Sequence, residues 1–180
     1  MNSGPHKLND VATSSTGVRR PSAPLRGERT VIRPARTTDV EMLVRWHSDP
    51  EVALYWDGKT YTPEQMRARL ARPDVDAYVV EADGRPVGYL QAWFGETADV
   101  GGLDMFLIPS ARGRGIGPDA ARTIAGYLLD RGGRLRVTVD PYLSNERAIA
   151  GWKKAGFRSI EEREPDDEHL ERWLLMEFHR

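Results

Sequence analysis

A chain of 180 residues and 20.3 kDa, 39% hydrophobic and 29% charged with a mean hydropathy of −0.56, reads as one globular domain around one core, neither disordered throughout nor membrane-embedded. Its 26 Lys+Arg against 27 Asp+Glu leave a formal charge of −1, so no global positive field is available to hold a nucleic acid, and no apolar run approaches the roughly 18 residues of a spanning helix. The absence of cysteine excludes disulfides, thiolate metal sites and cysteine nucleophiles, which leaves any chemistry to other groups.

Residues 1–27 are rich in Ser, Thr, Pro and Gly without apolar periodicity and read as a flexible leader, followed by one domain over 28–180. The leader lacks the continuous apolar stretch of a secretory signal, which points to a cytoplasmic protein. Thr30–Arg33 is a short strand closed by Pro34, and Thr37-Thr38-Asp39 caps a helix whose apolar face is Val40, Leu43, Val44 and Trp46. After the segment Val52–Trp56, Thr62-Pro63-Glu64-Gln65 opens a second helix, with proline at its first position, that runs to about Ala71. Tyr78–Glu81 and Pro86–Phe94 flank Asp83-Gly84, a hairpin turn, and form two antiparallel strands. Leu103–Ile108 is a further strand. Past a glycine-rich turn, a helix starts at Pro118, carries Ala121, Ile124, Ala125, Leu128 and Leu129 on its core face, and ends at Gly132-Gly133. Leu135–Val139 is a strand, Asn145 to Ala155 a helix, and Phe157–Glu162 with Trp173–Phe178 a last pair of strands joined by an acidic loop. The order β-α-α-β-β-β-α-β-α-β-β describes an α/β fold on a central mixed sheet.

The turn Arg112-Gly113-Arg114-Gly115-Ile116-Gly117-Pro118 joins a strand to a helix. Successive backbone N–H groups in such a turn, at the positive end of a helix dipole, suit a pyrophosphate, and the arginines can add charge-assisted hydrogen bonds. The same residues also suit a plain connecting loop. Gly117-Pro118-Asp119 lacks the Gly-Lys-Ser/Thr of a P-loop, and the turn follows the fourth strand instead of the first, which disfavours a dinucleotide fingerprint.

Asn145, Ala148, Trp152, Gly156 and Phe157 recur at fixed gaps about 30 residues later. Together with Arg112, Gly115 and Gly117 they resemble the GNAT superfamily of N-acetyltransferases, whose acyl-CoA site pairs a Gln/Arg-x-x-Gly-x-Gly/Ala turn with an Asn-x-x-Ala-x-x-x-Tyr-x-x-x-Gly-Phe helix. The resemblance covers about Glu28 to Phe178. Gly102-Leu103-Asp104, Val139-Asp140-Pro141 and Lys154-Ala155-Gly156-Phe157 are similar in particular to the aminoglycoside 6′-N-acetyltransferases, and siderophore-modifying acyltransferases are similar in the same region.

The resemblance implies a single-domain GNAT fold, with a mixed, mostly antiparallel, twisted sheet flanked by helices, and transfer of an acetyl group from acetyl-CoA to a primary amine of an aminoglycoside, which would confer resistance. The donor arm would bond the backbone of Phe106, Leu107 and Ile108, its pyrophosphate would sit on Arg112, Gly113, Arg114, Gly115, Ile116, Gly117 and Pro118, and Asn145 and Ala148 would meet the pantetheine. Asp104 takes the catalytic place, attracting the ammonium and accepting its proton. Where many members carry a tyrosine that protonates the leaving thiolate, this chain has Trp152, whose indole has no acidic proton. Trp152 is therefore read as a helix-core residue, and Tyr142 is a replacement acid by sequence proximity alone.

A polycationic sugar needs carboxylates for its ammonium groups and aromatic faces for its rings. Trp56, Asp57, Trp93, Glu96, Asp99, Asp104, Asp140 and Tyr142 are the candidates for that cleft. The acidic stretch from Glu161 to Glu171 reads as a solvated face. The four histidines, His6, His47, His169 and His179, show no ligand spacing, and no metal is expected. The assembly is expected to be a monomer or a homodimer, with no nucleic acid or membrane partner. Two alternatives stand beside the 6′-amine: the same chemistry on the 2′-amine of a kasugamycin-like aminoglycoside, a siderophore or another small amine, and an acyl-CoA-binding module without turnover.

Overall fold

The structure, a computed structural model, describes residues 21, 23–56, 58–94 and 99–180. Among these, eight strands form one sheet in the order β1-β2-β3-β4-β5-β6-β8-β7: β1 Leu25–Arg26, β2 Val31–Pro34, β3 Val75–Ala82, β4 Arg85–Phe94, β5 Val100–Leu107, β6 Arg136–Val139, β7 Phe157–Arg163 and β8 Trp173–Phe178. Every neighbouring pair is antiparallel except β5 and β6. The helices are α1 Val40–His47, α2 Pro50–Ala53, α3 Pro63–Leu70, α4 Ile116–Asp130 and α5 Glu146–Ala155.

Local chemistry accounts for most of these boundaries. Thr62 and Gln65 close a reciprocal capping box on α3, with Gln65 N–H donating to Thr62 Oγ1 at 3.2 Å and Thr62 N–H to Gln65 Oε1 at 2.8 Å. Asp83 and Gly84 have φ of 51° and 70°, the conformation a two-residue hairpin needs, and they set the β3–β4 register. α4 begins at Ile116, capped by Gly115 at φ 76°, so Pro118 is its third residue and not its first. Pro118 fits there because the first-turn N–H groups of a helix have no intrahelical partner.

The sheet separates two apolar layers. On one face α4 and α5 bury Ala121, Ile124, Leu128, Trp152 and Ala155 against Leu103, Val137 and Met176; on the other, α1 and α3 bury Val40, Leu43 and Met66 around Tyr89. Alternation along β5 sends Leu103, Met105 and Leu107 to the α4 face and Asp104 and Phe106 to the α1–α3 face.

Five elements, besides the start of α4, differ from the sequence reading. Leu25–Arg26, placed in the leader, pairs with Ile32 and Val31 as an edge strand too short to leave a pattern. The Pro50–Ala53 turn of helix, opened by Asp49 accepting the Glu51 N–H at 2.9 Å, precedes the Val52–Trp56 segment and overlaps it. β3 and β5 each begin about three residues early; Val75 extends β3 opposite Trp93, and β5 runs through Gly101 and Gly102, where a side chain at 102 would overlap the Trp93 indole. Leu135 is exposed and outside β6.

Candidate active site

The parallel pairing of β5 with β6 spans only Val100, Gly101 and Gly102 opposite Arg136, Val137 and Thr138. β6 then ends, and among the described residues no strand lies beside Leu103–Leu107 of β5 on that edge. A cleft of about 570 Å³ opens there, within the range of small-molecule sites. Its floor is Leu103–Leu107; the α4 turn and α5 form one side, Glu51, Trp56, Arg69, Gln91 and Trp93 the other, and Asp140, Tyr142 and His169 the rim.

Backbone direction along β5 decides which groups reach the cleft. Ile108 N–H donates to Val87 O at 3.0 Å, so in this antiparallel ladder Ile108, Phe106 and Asp104 turn their backbone groups to β4, while Leu103, Met105 and Leu107 turn theirs to the open edge. Ile108 O in turn accepts from Ala111 N–H at 3.0 Å. Leu107 O is taken by Arg112 Nε at 2.9 Å. Of the three residues read as the donor's backbone partners, only Leu107, through its N–H, faces the cleft; Met105 is the neighbour the sequence reading passed over, for it skipped the two-residue period.

The glycine turn divides in the same manner. Arg112, Gly113, Gly115, Gly117 and Pro118 line the cleft, whereas the Ile116 side chain enters the core and Arg114 turns to Asp83 at 2.9 Å on the other side. Arg112 Nη1 meets Glu51 Oε2 at 2.5 Å, tying the turn to α2. The side chains of both arginines are therefore bonded within the protein, and the turn's backbone N–H groups are what it presents. Gly113 and Gly115 both sit at φ 76°, where a side chain is strained. Asn145 caps α5, its Oδ1 accepting the Ala148 N–H at 3.1 Å. Trp152 is 8% exposed and packs edge-on against Phe157 at 5.2 Å, a core residue as expected.

On the acceptor side Asp104 Oδ2 accepts from Gln91 Nε2 at 2.5 Å, and Gln91 Oε1 receives Arg69 Nη2 at 2.6 Å. Trp93 lies across Gly102, where any side chain would overlap its indole. Trp56 stands edge-on to Phe106 at 5.4 Å and to Tyr89 at 5.9 Å. Asp99 does not belong to the cleft; its carbonyl anchors the N–H groups of Leu135 and Arg136 at the far end of β5. Asp57 and Glu96 lie outside the described residues. The Tyr142 hydroxyl faces the β7–β8 loop, 3.4 Å from the Leu170 N–H.

Two histidines that sequence spacing left without a role flank this site in opposite states. His47 is fully buried with Trp56, Tyr61, Tyr89 and Phe106 at ring distances of 5.0–5.5 Å, and Nδ1–H donates to Leu43 O at 2.8 Å. Burial holds its pKa down at about 4. His169 lies between Asp140 and Asp166, and its hydrogen bond to Asp140, with that to Asp166, pushes its pKa up to about 9 against desolvation. The two act on stability with opposite slopes. Protonating His47 favours the unfolded chain, so stability is lost as pH falls from about 6.5 to about 4; the His169 contribution is complete below about 6.5 and is lost as pH rises through about 9. Thermal unfolding across pH 4–9.5 is expected to give the highest Tm near pH 6.5, and His169→Gln is expected to flatten the alkaline side alone. An unchanged alkaline limb in that variant would contradict the assignment.

A family model described as the acetyltransferase (GNAT) domain matches residues 35–164. The aminoglycoside N(6′)-acetyltransferase type 1 of Klebsiella pneumoniae is 28% identical over 138 residues, which is 66% of this chain and 69% of that protein. A structure of AAC(6′)-Ib in complex with paromomycin and acetyl-CoA superposes with a TM-score of 0.74 at 25% identity, covering 85% of this chain and 94% of that one. A structure of the same enzyme with coenzyme A and kanamycin gives 0.72 at 25% identity, covering 84% and 95%. Spermidine N-acetyltransferase from Vibrio cholerae shares the fold at 11% identity, with a TM-score of 0.73 over 83% of this chain and 95% of that one.

Proposed function

Since the chain belongs to the GNAT acetyltransferase family, we propose that it transfers the acetyl group of acetyl-CoA directly to a primary amine of an aminoglycoside, the 6′-amine. The observation that carries this reading is Asp104: a carboxylate on β5, held by Gln91 at 2.5 Å, one residue from the unpaired backbone edge at Met105. An acceptor amine bound there stands next to whatever lies along that edge.

The residues fit an acyl-CoA. The Leu107 N–H and the Met105 backbone groups can bond an amide-bearing arm as an added strand, and the α4 turn, with glycines at 113, 115 and 117, leaves room for phosphate oxygens beside backbone N–H groups. The donor supplies an acetyl thioester, and its thiolate is a leaving group of modest basicity, pKa about 8.5 in a simple thiol. Trp152 offers that thiolate no proton, which leaves its departure to solvent. Asp104 holds the substrate ammonium by charge, takes the proton that must be lost before nitrogen can attack, and passes it to water. Trp56 and Trp93 offer apolar faces to a sugar ring.

The test follows free thiol release from acetyl-CoA across aminoglycosides that differ at the 2′, 3 and 6′ positions, with mass spectrometry of the products. Turnover confined to compounds with a 6′-amine is the expected result. Turnover confined to 2′-amines or to siderophore amines would move the acceptor within the same chemistry, and coenzyme A binding with no turnover on any amine would replace the enzyme with a binding module.

A further inference from the structure

Asp140 follows β6 directly and carries its carboxylate to the rim of the cleft, where sequence reasoning assigns it a substrate ammonium. In the structure a side chain of the same protein already meets it. His169 Nε2 lies 3.3 Å from Asp140 Oδ2, and Nδ1 lies 2.8 Å from Asp166 Oδ1. The loop that carries His169 is braced from within: Asp166 Oδ1 also accepts the N–H groups of Glu168 at 2.9 Å and His169 at 2.8 Å, and Asp166 N–H donates to His169 O at 3.0 Å. The imidazole stacks on Trp173 at 4.1 Å with planes 16° apart, and Tyr142 stands edge-on to it at 6.3 Å. Arg163 lies over the same Trp173 ring at 5.0 Å, and Glu168 lines the cleft beside His169. With its side chain only 13% exposed, the ring is a seated part of the wall.

We propose that His169 is a specificity-determining residue for the acetyl acceptor: it pairs with Asp140 as a built-in counter-cation and withdraws that carboxylate from the substrate. The inference rests on the amine-acetylation reading above and narrows its substrate class. Two carboxylates flanking a cleft would select molecules with two or more well-separated ammonium groups. With Asp140 paired from inside, a second ammonium at this rim must displace an imidazolium fixed by two carboxylates and a stacked indole. Acceptors with a single ammonium near the reacting centre lose nothing by this, whereas polyammonium sugars lose one ion pair. A hydrogen-bonded charge pair in a partly desolvated wall corresponds to about tenfold or more in affinity.

Steady-state kinetics with kanamycin and with a 6-amino-6-deoxyglucoside separate the two classes, and calorimetric titration of kanamycin into the coenzyme A complex gives its Kd without turnover. In His169→Gln, which keeps a side-chain hydrogen-bond donor and removes the charge, the kanamycin KM and Kd are expected to fall about tenfold while kcat, the monoamine KM and the acetyl-CoA KM stay within twofold. His169→Lys, which restores a cation, is expected to return both kanamycin values toward those of the unchanged protein, and Asp140→Asn in the His169→Gln background is expected to abolish the gain. Kanamycin affinity that is unchanged or weaker in His169→Gln would overturn the proposal, as would an equal gain for the monoamine. Absence of thiol release with every amine would sink the acetylation reading alone, because the kanamycin isotherms and an NMR titration of the His169 ring in the presence and absence of Asp140→Asn still decide whether the pair forms and what it excludes.

Discussion

Replacing Asp104 by asparagine is expected to lower kcat/KM for the acceptor about a thousandfold and to leave coenzyme A affinity nearly unchanged. The magnitude follows from the two tasks removed together, attraction of the ammonium and acceptance of its proton, the second of which is commonly worth 10²–10⁴ in rate. The geometry is expected to survive. Arg69 Nη2 holds Gln91 Oε1 at 2.6 Å, so the Gln91 amide must offer its nitrogen to position 104, and the carbonyl oxygen of an asparagine can accept it as the Asp104 carboxylate does at 2.5 Å. A turnover deficit in Asp104→Asn is thus chemical and not a matter of lost packing, and calorimetric titration of coenzyme A checks the donor side independently. Equal turnover in the two proteins would remove Asp104 from the mechanism.

Gly115→Ala is expected to do the converse: coenzyme A Kd rises about 10- to 100-fold, while kcat at saturating donor changes little. The protein leaves room for the methyl group, since Arg29 Nε at 3.8 Å is the nearest atom it would meet. The penalty lies in the backbone. At φ 76° an alanine costs roughly 1–2 kcal/mol, and relief of that strain rotates the peptide N–H groups of the α4 cap away from the direction a phosphate requires. Each charge-assisted hydrogen bond lost in this way is worth about 1.5–3 kcal/mol. Titration calorimetry with coenzyme A, paired with thermal unfolding to account for the strain, measures both parts; unchanged affinity would contradict the phosphate assignment of the turn.

The sequence carried the architecture well where a pattern repeats or a turn has a chemical requirement. The Asp83-Gly84 hairpin, the Thr62 to Gln65 cap and the core face of α4 all stand where spacing put them. The cleft was legible only in part. Asp104, Asp140, Trp56, Trp93 and the glycine turn do line one cavity, because they stand at strand ends and turns that converge on the split between β5 and β6. Phe106 and Ile108 were assigned to the donor by their place in the chain, but a strand alternates its backbone direction, and that parity is set by the partner strand β4, which a linear reading does not contain. Arg69, Gln91 and His169 were missed for a related reason. Each acts through a residue well separated in the chain, 13 positions for Gln91 on Asp104, 22 for Arg69 on Gln91 and 29 for His169 on Asp140, and no spacing rule links them. Asp99 shows the reverse error: a carboxylate near the others in sequence that the strand carries to the opposite end.

The first turn of α4 contains an acidic residue, Asp119, in a helix whose N-terminus faces the cleft. That carboxylate is spent on the segment ahead of β2: it accepts the N–H groups of Glu28 and Arg29 at 3.0 Å each and the Thr30 hydroxyl at 2.6 Å. Gly27 passes so close that a side chain there would overlap the Asp119 carboxylate. The family match begins at residue 35, past all of these partners. A chain shortened to that boundary would keep every residue of the glycine turn yet lose β1, β2 and the three donors that hold Asp119 at the N-terminal turn of α4. Residues 27–30 thus fix the start of α4 from outside the span that the family match covers.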